Sequence, residues 1–305
     1  MYHAPVLLPE SLDGLRIRPD GVYVDATFGG GGHAAPILNR LGDKGRLYAF
    51  DQDADAQANA DNVIFSEHAG FHFVHSNFRY LKRQLRAAGV RPGTVDGILA
   101  DLGVSSHQLD TPDRGFSYRF DAPLDMRMNA ADEKSAAEVL NTYSAEDLQR
   151  LFSAYGEVRN ARTLALACVA FREKSRFQST ADLLGVCEAN LIGERWRYLS
   201  QVFQALRIEV NDEMGALTDF LNDATEMLSK GGRLVIITYH SLEDRPVKNW
   251  FKTGNIEGEV QQDFYGNIER PFKLINKKPI EARPEEVQQN PRARSAKLRI
   301  AEKQN

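Results

Sequence analysis

Val22-Tyr-Val-Asp-Ala-Thr-Phe-Gly-Gly-Gly-Gly-His33 is the stretch on which the fold class turns. A β-branched, apolar run ends at Asp25, breaks into four consecutive glycines and leads into a helix expected from Ala34 to Leu41. Strand, glycine turn and helix in that order form the opening unit of a nucleotide-binding α/β sheet. Glycine lets the backbone approach a ligand closely, and the helix N-terminus offers N–H groups that lack intrahelical partners. Many helix-entry turns carry glycines and bind nothing, so the surrounding residues must decide.

Outward from that turn, the first hundred residues alternate strand and helix. Strands are expected at Val22–Ala26, Arg46–Asp51, Phe71–His75 and Asp96–Ala100, with helices at Ala54–Asn62 and Phe78–Ala88. Short apolar runs separated by helical patterns predict a parallel sheet with right-handed crossovers. The stretch Leu102–Asn129 is then rich in Gly, Ser, Asp and Pro, and loops of that length in a compact domain are usually functional or disordered. From Ser135 to about Leu199 the texture is helical, with Ser144 and either Ser179 or Thr180 as expected N-caps, which predicts a small helical bundle inserted into the α/β domain. Alternation resumes with an amphipathic helix over Asn211–Leu228, closed by Lys230-Gly-Gly-Arg233, and a buried strand over Arg233–Tyr239. Phe272–Asn276 and Ala296–Ile300 are the last strand candidates.

The chain has 305 residues, 42% hydrophobic and 26% charged, as expected of a soluble globular protein with ample core. No apolar run approaches the roughly 20 residues of a membrane span, and the N-terminus has no signal-peptide pattern. Cys168 and Cys187 neither form a disulfide framework nor have zinc-site spacing, so a reduced, cytoplasmic setting is the expectation. A net charge of −4 argues against indiscriminate nucleic-acid binding. Charge is uneven, however: Arg270–Asn305 holds ten Lys and Arg against four Glu. Such a tail either favours a polyanion at one place or is a solvated terminus.

Asp51 follows the second strand, where dinucleotide-type folds place an acidic residue that accepts from ribose hydroxyls; the alternative is a helix N-cap, a role open also to Asp53. The fourth strand ends in Asp101-Leu-Gly-Val-Ser-Ser106. If strands one and four flank the point where strand order reverses, Asp101 shares a pocket with Gly31. The loop beyond carries Gln108, Arg114 and Arg127 among aromatic and apolar residues. Its arginines either grip phosphate and stack on bases, or pair with Asp110, Asp113, Asp121 or Asp125 to stiffen the loop.

A set of segments in this order resembles one family along the whole chain. They are His3-Ala-Pro-Val-Leu-Leu8, Asp25-Ala-Thr-Phe-Gly-Gly-Gly-Gly-His33, Asp96–Ser106, Arg114-Gly-Phe116, Leu124-Asp-Met-Arg-Met128, Phe203-Gln-Ala-Leu-Arg-Ile208, His240-Ser-Leu-Glu-Asp-Arg245 and Asn290-Pro-Arg-Ala-Arg-Ser-Ala296. The chain resembles the bacterial S-adenosylmethionine-dependent methyltransferases that modify N4 of a cytidine in small-subunit (16S) ribosomal RNA. The resemblance implies cofactor contacts at Gly31, Gly32, His33, Asp51, Phe78, Asp101 and Gln108. It implies a Rossmann-like class I methyltransferase sheet, parallel with a last antiparallel strand, over 1–130 and 203–305, and an inserted helical substrate domain over 131–202. It also implies a substrate assembled in the small ribosomal subunit, in the decoding region. At Arg197-Tyr-Leu-Ser-Gln-Val202 the chain departs from the His-Pro-Ala-Thr-Arg-like segment of many relatives, so no RNA contact is carried over there.

These residues suit N-methylation. The exocyclic amine of cytosine is a weak nucleophile, because its lone pair is delocalised into the ring, and an acceptor holding an N–H favours its attack on a sulfonium methyl. Asp101 is the candidate acceptor as well as an implied cofactor contact. Arg114, Arg127, His240, Arg292 and Arg294 are the candidate RNA contacts, and His3, His68, His72, His75 and His107 form no metal constellation. Two other classes are weighed. Gly29–Ala34 also fits the G-x-G-x-x-A pattern of NAD-dependent oxidoreductases, and the basic tail alone would suffice for an RNA-binding assembly factor without activity.

Overall fold

The computed structural model describes residues 5–260, 262 and 270–304, so His3 and Ala4 of the first matching segment lie outside the described residues. The chain forms two compact units, one from Met1–Gly103 with Met214–Asn305 and the other from Val104–Glu213.

The first unit is built on a sheet of β1 (Val22–Asp25), β2 (Arg46–Asp51), β3 (Phe71–His75), β4 (Val95–Asp101), β5 (Leu228–Thr238), β6 (Phe272–Leu274), β7 (Ile280–Glu281) and β8 (Lys297–Lys303). Strand order is β3-β2-β1-β4-β5-β8-β6, with β7 also on β8. β1 to β5 run parallel and β8 pairs antiparallel to β5, the class the sequence predicts. The chain winds outward from β1 to β3, then returns to lay β4 on the other side of β1, with Asp25 opposite Leu99. The carboxyl ends of β1 and β4 therefore border the crevice where an open α/β sheet takes its ligand.

Apolar residues alternate between the two faces, as the period of two in a strand requires. Val24, Ile98, Leu234 and Ile236 pack with Leu81, Leu85, Phe220 and Leu221 on one side. Tyr23, Leu99, Val235 and Ile237 pack with Leu12, Leu15, Ile37 and Ile300 on the other. Both faces are covered, which is why the strands read as nearly continuous apolar runs.

Several bounds differ from the sequence reading. The helix after the glycines is Ala34–Leu38, and Phe78–Tyr80 is a 3-10 turn preceding the helix Leu81–Ala87. Gly231 and Gly232 do not end a helix: the helix Glu213–Met227 stops earlier, and both glycines sit in an irregularity of β5, where pairing jumps from Val95↔Leu228 to Gly97↔Arg233. Gly231 has φ +80°, which glycine tolerates without a Cβ clash. The sequence reading assigns no element to Ser241–Thr253, which is a helix with Pro246 inside it.

The second unit holds the helices Ser106–Asp110, Ala136–Thr142, Ala145–Ala154, Ala161–Arg172, Thr180–Ala189 and Arg195–Val210. Ser135, Ser144 and Ser179 cap three of them by accepting backbone N–H bonds. The unit extends beyond 131–202 at both ends because its core recruits both flanks. Phe116, Leu124, Met126 and Met128 come from the long loop, and Phe203, Ala205 and Leu206 from the last helix. Tyr198, Leu199 and Val202 of the departing segment are core residues here. Cys168 and Cys187 are buried in the same core, and burial pushes the Cys168 thiol up to about 12. Protonated and enclosed, neither thiol is placed to form a covalent adduct with a base.

Candidate active site

The glycine loop is held open from three sides. Its Gly29 N–H donates to Asp51 Oδ2 at 2.7 Å, its Gly29 carbonyl accepts from Asn59 Nδ2 at 3.0 Å, and the Phe28 N–H donates to the Phe50 carbonyl at 2.8 Å. Gly29 and Gly31 take φ of +52° and +76°, which side chains rarely adopt. A Cβ on Gly31 would stand 2.4 Å from the Phe65 ring, whereas one on Gly29 would meet nothing within 4 Å. The loop thus keeps an open concavity on the Gly29 side and has no room on the Gly31 side.

Three carboxylates end the strands around this loop. Asp25 is fully buried; one oxygen accepts the Thr27 N–H at 3.1 Å and the other has no hydrogen-bond partner among the described residues. Asp51 takes the N–H groups of Gly29, Asp53 and Gln52, and with about four acceptor sites on a carboxylate it keeps further capacity. Burial pushes both Asp25 and Asp51 up to about 6. Asp101 is pushed up to about 7, mainly by burial and further by the Glu243 carboxylate, while a hydrogen bond from Tyr239 pulls it down. Its backbone N–H donates to Thr27 Oγ1 at 2.7 Å, and the Tyr239 hydroxyl donates to its Oδ1 at 2.7 Å.

Gly31, Gly32, His33, Asp51, Phe78 and Asp101 all lie at the carboxyl ends of β1 to β4. The His33 ring is spent locally, with Nε2 on the Val6 carbonyl at 3.1 Å, and burial lowers its pKa. Phe78 packs edge-on against Phe220 at 5.2 Å between centroids and stays half-buried. His240 follows β5, with Nε2 at 3.1 Å from Glu243 Oε1. Arg292 and Arg294 lie in the turn Pro291–Ser295 before β8; antiparallel pairing of Thr238 with Lys297 brings that turn to the same sheet edge. Asn290 is extended, as Pro291 demands, and its side chain accepts the Arg292 N–H. Arg294 is exposed, while Arg299 is fixed by two bonds to Asp244 at 2.7 and 2.9 Å.

Gln108, Arg114 and Arg127 belong to the second unit. Gln108 closes a capping box with Ser105, accepting the Ser105 N–H at 3.0 Å. Arg127 forks onto Asp125, with both contacts at 2.7 Å, and Arg114 donates to the carbonyls of Arg127 and Met128. These bonds stiffen the loop, one of the two roles open to its arginines. Sequence reasoning missed Tyr239, Glu243, Asn59 and Gly29. Tyr239 and Glu243 had one available signal, their place next to and within the His240–Arg245 match.

The donor set fits S-adenosylmethionine: a glycine cradle with an open side, a carboxylate with spare acceptor capacity at the ribose position, and a buried carboxylate oxygen without a partner in Asp25. Fold and site together define a Rossmann-like methyltransferase. The chain matches the model of the MraW methylase family over residues 1–304 and belongs to that family. It is 56% identical over 303 residues to "Ribosomal RNA small subunit methyltransferase H" of Parabacteroides distasonis, covering 99% of this chain and 97% of that protein. It is 57% identical over 304 residues to the protein of the same name in Phocaeicola vulgatus, covering 99% and 98%. With that of Cytophaga hutchinsonii it shares 53% over 305 residues, covering both chains fully. The chain is an S-adenosylmethionine-dependent methyltransferase, which sets aside the oxidoreductase and the inactive assembly factor. No helix among the described residues is long and apolar enough to cross a membrane.

Asp51→Ala is expected to weaken S-adenosylmethionine binding by about 1.5–3 kcal/mol, the worth of a hydrogen bond to a charged group. Calorimetric titration measures it, and an unchanged affinity would remove Asp51 from the site.

Proposed function

We propose that this protein transfers a methyl group from S-adenosylmethionine to the exocyclic N4 amine of a cytidine in 16S ribosomal RNA, within the small subunit and in the cytoplasm. The observation that carries the reading is Asp101. It ends the strand beside the glycine loop, with Oδ1 held by Tyr239, and as a carboxylate it keeps acceptor capacity on its second oxygen. An oxygen of that kind accepts an N–H of the attacking amine, keeping its lone pair available as the new N–C bond forms. S-adenosylmethionine, when bound, supplies a methyl on cationic sulfur, whose S–CH3 bond breaks with its electron pair leaving on sulfur. Gly31, Gly32, Asp51 and Phe78 hold the donor, with the backbone at His33. Positioning the two reactants supplies much of the acceleration, since effective molarity is worth roughly 7–11 kcal/mol. Transfer of labelled methyl to small subunits, followed by mass mapping of the modified nucleoside, tests the reading. Label on carbon 5 of the base, or none on cytidine, would overturn it.

His240, Arg292 and Arg294 are the proposed RNA contacts of the first unit, and Arg114 and Arg127 those of the second. Arg292 and Arg294 supply guanidinium forks suited to phosphate, at the edge where the strand ends converge. Changing both to Gln is expected to raise KM for the ribosomal substrate and flatten its salt dependence, with cofactor affinity unchanged, because each lost phosphate contact removes counterion release. A fall in thermal stability with the salt slope intact would instead give these arginines a structural role.

A further inference from the structure

Asp101, Tyr239, Glu243 and His240 form a chain of contacts within the first unit. The Tyr239 hydroxyl donates to Asp101 Oδ1 at 2.7 Å. The Tyr239 backbone N–H donates to Glu243 Oε2 at 2.8 Å, and Glu243 Oε1 meets His240 Nε2 at 3.1 Å. Glu243 is 2% exposed, so this carboxylate is committed to holding the turn between β5 and the helix Ser241–Thr253. Gly103, two residues beyond Asp101, has φ +93°, and a Cβ there would lie 3.7 Å from the Tyr239 ring and 3.8 Å from Glu243. The turns after β4 and β5 therefore meet through Tyr239.

We infer that Tyr239 is a positioning residue of the proposed methyl transfer: its phenol fixes one oxygen of Asp101, leaving the other as acceptor for the reacting amine, while Glu243, braced by His240, fixes Tyr239. This rests on the reading of Asp101 as that acceptor. Burial and the adjoining Asp101 and Glu243 carboxylates hold the phenol well above its ordinary value, so Tyr239 remains a donor throughout the working pH range. The charged and titratable groups around the pair oppose one another. Glu243 on the helix disfavours ionisation of Asp101, Asp101 in turn disfavours that of Asp25 at the end of β1, and Glu286 faces the phenol. Tyr239 alone among these favours the Asp101 carboxylate, through a charge-assisted hydrogen bond.

The opposed signs give the test. Tyr239→Phe removes the donor and keeps the ring. The acid limb of kcat/KM is expected to move up by about one to two pH units, the equivalent of one hydrogen bond to a carboxylate, with the rate recovering at high pH. Glu243→Gln keeps a carbonyl oxygen for the Tyr239 N–H but removes the like charge, and should move the limb down. Titration of the Asp101 carboxyl by 13C NMR should shift in the same two directions, whether or not Asp101 takes part in the reaction. Adding Tyr239→Phe to Asp101→Asn should cost nothing further in kcat. A uniform loss at every pH, or an Asp101 midpoint unmoved in Tyr239→Phe, would overturn the positioning role. If the midpoint moves but Asp101→Asn keeps its rate, the acceptor reading falls instead.

Discussion

Asp101→Asn is expected to lower kcat by about 10²–10⁴-fold, the usual contribution of a positioned proton acceptor, while the protein grows more stable relative to the parent as pH rises. The amide keeps the size and one acceptor oxygen for Tyr239 but cannot take a proton from the amine. In the parent, kcat/KM should fall below about pH 7, where burial makes Asp101 hold its own proton. In the variant that limb should vanish. The stability change has a definite sign. The folded state binds the Asp101 proton up to about pH 7, whereas the unfolded chain releases it near the ordinary value of 3.8. Between those values the folded state carries more protons, so raising the pH lowers stability until both states are ionised. Asn has no such penalty, so the gap in Tm should be small near pH 4 and full above pH 7. Full activity in the variant would remove Asp101 as acceptor, and a gap in Tm that does not grow with pH would refute the burial argument. Stability bought with activity is what a functional buried charge implies.

The parts of this fold legible in the sequence are those with a local cause. Val22–Asp25 and Phe71–His75 announce themselves by composition, Ser144 and Ser179 by capping chemistry, and the glycine run by its place between strand and helix. The crevice stood in the sequence only on the condition that strands one and four flank the reversal of strand order, and the sheet meets it by pairing β1 with β4. What the sequence hid depends on distant partners. Tyr239 lies 138 residues from the carboxylate it touches, and its one local mark, its place beside the His240–Arg245 match, says nothing of that partner. The long loop reads as irregular, yet Leu124 and Met126 are buried because the helices supply a core for them. Pro246 masks a helix whose Val247, Trp250 and Phe251 bury against the sheet, so tertiary packing overrides a breaker. The arginines split for the same reason. Arg127 has its carboxylate two residues away, whereas Arg294 is exposed in the turn before β8.

Gly31→Ala should destabilise the protein severely, and Gly29→Ala should leave the fold nearly intact while weakening the cofactor. At Gly31 two penalties coincide. The left-handed backbone costs a Cβ-bearing residue roughly 1–2 kcal/mol. The new methyl would stand 2.4 Å from one Phe65 ring carbon and 3.1 Å from the Phe28 ring. Phe65 cannot easily yield, because it is 5% exposed and packed against Phe28 and Phe71 with centroids 5.1 and 5.0 Å away. Overpacking of that kind adds typically about 1–3 kcal/mol. The sum, about 2–5 kcal/mol, is a large part of the roughly 5–15 kcal/mol by which a domain is stable. Thermal melting of the cofactor-free protein should register it, and saturating S-adenosylmethionine should restore only part. At Gly29 the strain is similar but nothing stands within 4 Å, so the methyl enters the open side of the cradle. There the loss should appear in the Kd by calorimetry, with little change in Tm beyond the backbone term. Equal effects of the two variants on Tm would mean that the Gly31 contact relaxes, and an unchanged Kd for Gly29→Ala would place the cofactor elsewhere than against this loop.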